Sequence, residues 1–273
     1  MSRLRLALLL ILVAPTLAQA VLFSKPSQFA GKVLVVEDGG YRILRFHDQG
    51  HDSEQSRCEV KRPTYLVHEY TRLQLLGLTF LEKPPERILV IGLGGASLSK
   101  ALHELYPSAR VDSVEIDPVV VEAARKFFFY REGPRVRTFV QDARQYVRQT
   151  RERYDIVFLD AFDGLDVPEV LRTQQFYRDV AALLESEGSV VVANLHRNSE
   201  TYASDRNTLA SVFGQTCAFA GVGNVLLVNR LRPGSCDILE EASKLAPQYD
   251  LVRYARMRDD SDWDHAAPLV TGS

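Results

Sequence analysis

Ile88-Leu89-Val90-Ile91 runs directly into Gly92-Leu93-Gly94-Gly95-Ala96-Ser97, an apolar stretch of strand length that empties into a glycine turn. Two more stretches end on polar residues in the same way. Val111-Asp112-Ser113-Val114 leads into Glu115-Ile116-Asp117-Pro118, and Ile156-Val157-Phe158-Leu159 leads into Asp160-Ala161-Phe162-Asp163. Ligands of open α/β sheets bind outside the carboxyl ends of the strands, so three such endings mark one pocket. Around them the pattern predicts strands near 87–91, 110–115, 135–140, 154–159 and 188–194, with helices over 97–105, 118–129 and 173–185. That alternation is the signature of an α/β fold with a mostly parallel sheet covered on both faces.

Upstream, Lys32-Val33-Leu34-Val35-Val36 and Tyr41-Arg42-Ile43-Leu44-Arg45-Phe46 flank Asp38-Gly39-Gly40, which predicts a hairpin, with a further short strand around Cys58 to Lys61. Residues 21–62 therefore form a small antiparallel β segment ahead of a main domain over 63–249. Leu66, Tyr70, Leu73, Leu76 and Phe80 share one face of a helix over 65–80. Val225-Leu226-Leu227-Val228 supplies a late strand, and residues 250–273 read as a peripheral charged tail.

Residues 1–20 read as a targeting segment. Arg3 and Arg5 precede the apolar run Leu6 to Ala14, and Ala18-Gln19-Ala20 places small residues at a cleavage site. The expectation is export to the periplasm or medium. A retained anchor, the one route to a membrane, and an unused leader on a cytoplasmic protein remain open.

A net charge of −2 over 273 residues, with no long basic stretch, gives no reason to expect a nucleic-acid partner. Cys58, Cys217 and Cys236 show no metal-ligand spacing, so no metal is expected. A Cys217–Cys236 bridge suits an exported protein, and buried unpaired thiols fit the sequence equally well.

The chemistry-bearing residues cluster at the strand ends. Glycines Gly92, Gly94 and Gly95 allow close approach of backbone to a ligand. Glu115 can accept hydrogen bonds from both hydroxyls of a ribose. Asp117, before Pro118, reads as a helix cap. Asp142 can receive an adenine amine or cap the helix starting at Ala143, and the two roles are compatible. Asp160 and Asp163 form a carboxylate pair able to orient a cationic amine and remove its proton.

In this order, the motifs resemble the polyamine aminopropyltransferase (spermidine synthase) family, in its divergent spermidine synthase-like branch. The residues that carry the resemblance are His68-Glu69, the Gly92 loop, Glu115-Ile116-Asp117, Gln141-Asp142-Ala143 and Asp160-Ala161-Phe162-Asp163, continued by Pro168, Leu171, Thr173, Phe176 and Tyr177. The resemblance implies a class I S-adenosylmethionine-dependent methyltransferase-like (Rossmann-like) fold and aminopropyl transfer to a polyamine such as putrescine. It implies no permanently bound cofactor, with decarboxylated S-adenosylmethionine, or S-adenosylmethionine itself, as cosubstrate. It places Glu115 on ribose, Asp142 on adenine, His68 over the nucleoside or sulfonium region, and Asp160 and Asp163 on the attacking amine. Gly95 stands where the family carries the aspartate that holds the donor amine, and Val67 where it carries a tyrosine. Methyl transfer and a catalytically inactive nucleoside- or polyamine-binding protein are the alternatives, with a nicotinamide dehydrogenase behind them. The family also implies a homodimer through the N-terminal hairpin, although a hairpin covering the pocket fits equally.

Overall fold

The computed structural model describes residues 19–163, 166–260 and 263–271. Most of the leader expected over residues 1–20 lies outside them. β1 (Ala20–Pro26), β2 (Lys32–Asp38), β3 (Tyr41–Asp48) and β4 (His51–Glu59) form a four-stranded antiparallel sheet in chain order. Gly39 and Gly40, both at positive φ, close the β2–β3 hairpin as the Asp-Gly-Gly spacing predicts. Val33, Val35, Leu44 and Cys58 form the buried face of this sheet. The third strand starts seven residues earlier than expected, at His51, and β1 was not anticipated at all. In β4 the register shifts so that Leu44 faces Ser56 and Arg45 faces Glu54, leaving Gln55 as an extra residue. Such a bulge turns a side chain off the regular alternation.

The helix expected over 65–80 is shorter. Only α1 (Glu69–Gln74) is α-helical, and Leu75–Phe80 tightens into a 3₁₀ turn. The reason is close packing: a Cβ on Gly77 would lie 2.2 Å from Val192 Cγ2, so this segment lies directly on the sheet.

The main sheet contains β5 (Arg87–Ile91), β6 (Arg110–Glu115), β7 (Val136–Val140), β8 (Ile156–Leu159), β9 (Val190–His196), β10 (Thr216–Ala220) and β11 (Asn224–Arg230), in the order β10-β11-β9-β8-β5-β6-β7. The five strands from β7 to β9 are parallel, while β11 and β10 run antiparallel to their neighbours. The helices are α2 (Ser97–Leu105), α3 (Pro118–Phe127), α4 (Ala143–Gln149), α5 (Gln174–Ala181), α6 (Tyr202–Phe213), α7 (Leu239–Lys244) and α8 (Leu251–Ala255). Two apolar clusters sandwich the sheet, one containing Leu98 and Leu102 of α2, the other Val147 of α4, Phe176 of α5 and Leu209 of α6. Burial on both faces explains why the central strands read as unbroken apolar runs. This is the methyltransferase-like Rossmann fold expected, with its small antiparallel sheet in front. Strand order reverses between β5 and β8, which places a crevice at their carboxyl ends.

The expected peripheral tail needs correction. Leu251 and Tyr254 of α8 are buried in the first cluster, the Val270 N–H donates to Thr208 Oγ1 (3.0 Å), and Trp263 Nε1 donates to Asn207 Oδ1 (2.8 Å). A five-residue helix is too short to show periodicity within a charged segment. Cys217 and Cys236 are disulfide-bonded, with Cα atoms 5.5 Å apart, within the range a bridge requires.

Candidate active site

A cavity of about 370 Å³ opens at the carboxyl ends of β5, β6, β7 and β8, and the inner face of β3–β4 forms its far wall through Phe46, Glu54, Gln55 and Ser56. The N-terminal sheet therefore covers the pocket.

On the β5–β6 side the geometry is set by backbone. Gly92 sits at φ +95°, and a Cβ there would lie 2.3 Å from the Asp160 carbonyl oxygen, so two strand ends meet at a spacing that only glycine permits. Gly94, at φ +51°, also lines the cavity. Glu115 Oε2 accepts from the Leu93 N–H and Oε1 from the Asp117 N–H, each at 3.0 Å. Burial pushes its pKa up, and these backbone donors oppose the shift. The glycine turn thus fixes the carboxylate while leaving lone pairs for a pair of ligand hydroxyls.

Asp142 caps α4, its Oδ1 accepting from the N–H groups of Arg144 (2.7 Å) and Gln145 (3.3 Å), and the residue lines the cavity. Asp117 caps α3 through Val119 N–H (2.8 Å), as the Asp-Pro spacing predicts, and its other oxygen accepts from Ser27 Oγ (2.5 Å).

Two expected contacts lie off the cavity wall. Gly95 packs beneath β4: its N–H donates to Ser56 Oγ (2.8 Å), and a Cβ would meet Phe128 Cδ1 at 2.8 Å and Ser56 Cβ at 2.9 Å. No side chain could project from this position without displacing them. His68 also stands behind the wall, its Nε2 3.3 Å from Glu54 Oε1 and its ring stacked on Tyr70 at 5.4 Å between centroids. It adjoins the cavity through those two residues. Burial alone would raise the Glu54 carboxyl, but hydrogen bonds from His68 and Arg57 outweigh it and hold its pKa at about 2.

On the β8–β9 side the wall is made of side chains. Asp160 and Asp163 both line it, together with Tyr70, Asn194, His196 and Asn224. Burial pushes the Asp160 carboxyl up to about 6, against a hydrogen bond from Asn194, the nearby Gln74 amide and the His68 ring. Gln74 is buried and its two polar side-chain atoms make no hydrogen bond of ordinary geometry, so it acts on Asp160 as a neighbouring dipole. Burial, with the carboxylates of Asp160 and Glu54, pushes the Tyr70 hydroxyl up and keeps it protonated. Phe162 stacks on His196 at 4.8 Å. Reading the sequence did not single out Glu54, Gln55, Asn194, His196 or Asn224. The available signal was Asn194, a polar residue closing the apolar run Val190 to Ala193.

Six carboxylates (Glu54, Glu115, Asp117, Asp142, Asp160 and Asp163) and no lysine or arginine line the cavity among the described residues. A single pocket of this polarity at a switch point suits a cationic nucleoside and a cationic partner.

The spermine/spermidine synthase domain matches residues 70–219. The polyamine aminopropyltransferase of Vibrio vulnificus (strain CMCP6) is 34% identical over 282 residues, spanning 97% of this chain and 93% of that one. The chain belongs to the spermine/spermidine synthase family. Among solved structures, a probable spermidine synthase from Corynebacterium glutamicum superposes with a TM-score of 0.70 at 21% identity, over 85% of this chain and 86% of that one, which bears on the fold. Human methyltransferase-like protein 13, solved with SAH, gives 0.58 at 26% identity over 73% of this chain and 97% of that one. The scaffold is therefore shared with a methyltransferase-like protein as well as with spermidine synthases. Among the described residues no group of three or more His, Cys, Asp or Glu side chains converges as a metal site.

Proposed function

We propose that this protein transfers an aminopropyl group from decarboxylated S-adenosylmethionine to an amine of a polyamine such as putrescine. The observation that carries the reading is the charge of the cavity: six carboxylates and no lysine or arginine among the described residues. Decarboxylated S-adenosylmethionine brings a sulfonium and an ammonium, and a polyamine brings further positive charge. Intact S-adenosylmethionine would bring a carboxylate into the same wall with no cationic side chain to meet it.

Glu115 holds the ribose, Asp142 offers its second oxygen to the adenine amine, and the glycine turn lets both approach. The acceptor ammonium loses its proton to Asp160, and its nitrogen lone pair attacks the methylene carbon beside sulfur. The C–N bond forms as the C–S bond breaks, and the electron pair returns to sulfur as the neutral thioether methylthioadenosine. The sulfonium is already a good leaving group, so catalysis rests on positioning the amine and keeping it unprotonated. A general base near pKa 6 is ionised at neutral pH and still basic enough to take the proton in a low-dielectric pocket. Asp163 anchors the rest of the acceptor.

Methyl transfer is the second reading, favoured by the likeness to human methyltransferase-like protein 13. Mass spectrometry of the products from each donor with a polyamine mixture separates the two. Methylthioadenosine with an amine enlarged by an aminopropyl unit supports the proposal; S-adenosylhomocysteine supports the alternative.

We also propose that the protein works outside the cytoplasm. Support comes from the leader-like residues 1–20 and from the Cys217–Cys236 disulfide, a bond that persists in oxidising compartments. The outer strand β1, with Val21 and Leu22 exposed, is the surface we assign to a homodimer, to be checked by sedimentation.

A further inference from the structure

We infer that Asn224 and Asn194 form a directional amide relay that positions Asp160 and sets its basicity, which makes both of them positioning residues for the amine-deprotonating step. This rests on the reading of Asp160 as the base.

The relay crosses three strands. Asp160 and Asn194 directly follow Leu159 and Ala193, which are partners in the parallel β8–β9 ladder, so the two side chains emerge together at the crevice. Asn194 Nδ2 donates to Asp160 Oδ1 at 2.9 Å. On β11, Asn224 stands opposite His196, and its Nδ2 donates to Asn194 Oδ1 at 2.9 Å. Asn194 is buried, with 3% of its surface exposed. An amide so buried holds its bonds with little competition from water.

The direction of the chain is forced. An ionised carboxylate only accepts, so Asn194 must turn its NH₂ to Asp160 and its oxygen to Asn224, and Asn224 must then donate. Each link polarises the next. Asn194 takes Oδ1, and the Gln74 amide approaches the carboxyl without a hydrogen bond of ordinary geometry, so Oδ2 of Asp160 is the oxygen left for the substrate amine. Were Asn194 reversed, its oxygen would face Asp160 and favour the protonated acid. The relay therefore couples a residue on β11 to the protonation state of a residue on β8 that it does not touch.

Several other groups bear on Asp160. His68 at the start of α1, and Tyr70 and Gln74 within it, act on or feel it, and Glu54 of β4, Asp163 of its own loop and His196 of β9 line the same cavity. A test must isolate the relay from their charges. Carboxyl titration by ¹³C NMR of aspartate-labelled protein, with the Asp160 signal assigned by its loss in Asp160→Asn, needs no substrate. Asn194→Leu removes a charge-assisted donor and should raise the midpoint by about one pH unit. Asn224→Ala should raise it by a smaller amount. Asn224→Asp should raise it further, because the new carboxylate competes for the Asn194 NH₂. In an Asn194→Leu background, the step from Asn224 to Asp should shrink to its bare through-space charge effect. An Asn224→Asp shift unchanged in that background, or Asn194→Leu without an upward shift, overturns the relay. The acid limb of kcat/KM should move with the NMR midpoint. If the midpoint moves and the limb does not, the relay stands and the assignment of Asp160 as the base fails.

Discussion

On the β5–β6–β7 side of the cavity a ligand meets backbone and carboxylates pinned by backbone, whereas on the β8–β9–β11 side it meets side chains held by other side chains. Glu115 is fixed by the N–H groups of Leu93 and Asp117, and Asp142 by those of Arg144 and Gln145. Asp160 is fixed by Asn194, which is fixed by Asn224. Backbone donors cannot be altered by substitution, so the first side is suited to an invariant nucleoside. Side-chain networks can be retuned one residue at a time, which suits an acceptor that varies. On the proposed mechanism the difference also divides the work: the first side binds, and the second moves a proton.

The largest effect should come from Asp160→Asn, which keeps the shape and the Asn194 bond and removes the base. Turnover should drop by roughly 10²- to 10⁴-fold. Methylthioadenosine affinity, measured by calorimetry, should stay within about twofold, because the nucleoside side is untouched. Comparable losses in both would erase the division of labour. Glu115→Gln should do the reverse, weakening nucleoside binding by about 10- to 100-fold through loss of charge-assisted hydrogen bonds, with a smaller change in kcat at saturating donor.

The same comparison predicts pH behaviour. Asp160 must be ionised to act, so kcat/KM should rise with pH through about 6 and level off above it. Stability should run the opposite way. A carboxyl whose folded pKa lies above its unfolded value of 3.8 favours the fold below pH 4, and that contribution is lost as pH rises through 6. Asp160→Asn should therefore stabilise the protein at pH 8 by roughly 1–3 kcal/mol and by much less at pH 4, as read by urea melts. A base kept buried costs the fold something.

What could be read in the sequence follows the same division. The strands from β5 to β9 and the helices between them show up because burial on both faces produces uninterrupted apolar runs that end on glycine or a carboxylate. Gly92, Glu115, Asp142, Asp160 and Asp163 could be named because each stands at such an ending. The far wall could not. Gln55 enters the cavity through a bulge that no periodicity announces, and Glu54 looks like one charge among many in an exposed strand. Asn194 and Asn224 lie 30 residues apart, and only the antiparallel return of β11 onto β9 brings them together. Gly95 and His68 show the converse: motif spacing pointed to both, but packing against Ser56 and Phe128, and against Glu54 and Tyr70, puts them one layer behind the cavity surface.

The smallest effect on chemistry should follow from breaking the Cys217–Cys236 bridge with paired serines. β10 is the edge strand, three places from β8, so at about 4.8 Å per strand it lies some 14 Å away from Asp160. The bridge closes a 19-residue separation, and its loss should cost about 2–4 kcal/mol of stability. Its reach is nonetheless one-sided. The segment after Cys236 leads to Tyr249, whose hydroxyl accepts from the Leu66 N–H (3.2 Å) just ahead of α1, and α1 carries Tyr70 into the amine side of the cavity. The glycine turn is held instead from β4 and β6, through the bonds of the Gly95 N–H to Ser56 Oγ and of the Leu93 N–H to Glu115 Oε2. Methylthioadenosine affinity should therefore be unchanged, while the KM for the polyamine rises by a few-fold. A change in nucleoside affinity of equal size would mean that the two sides of the cavity are mechanically one, and the contrast drawn between them would then be chemical only.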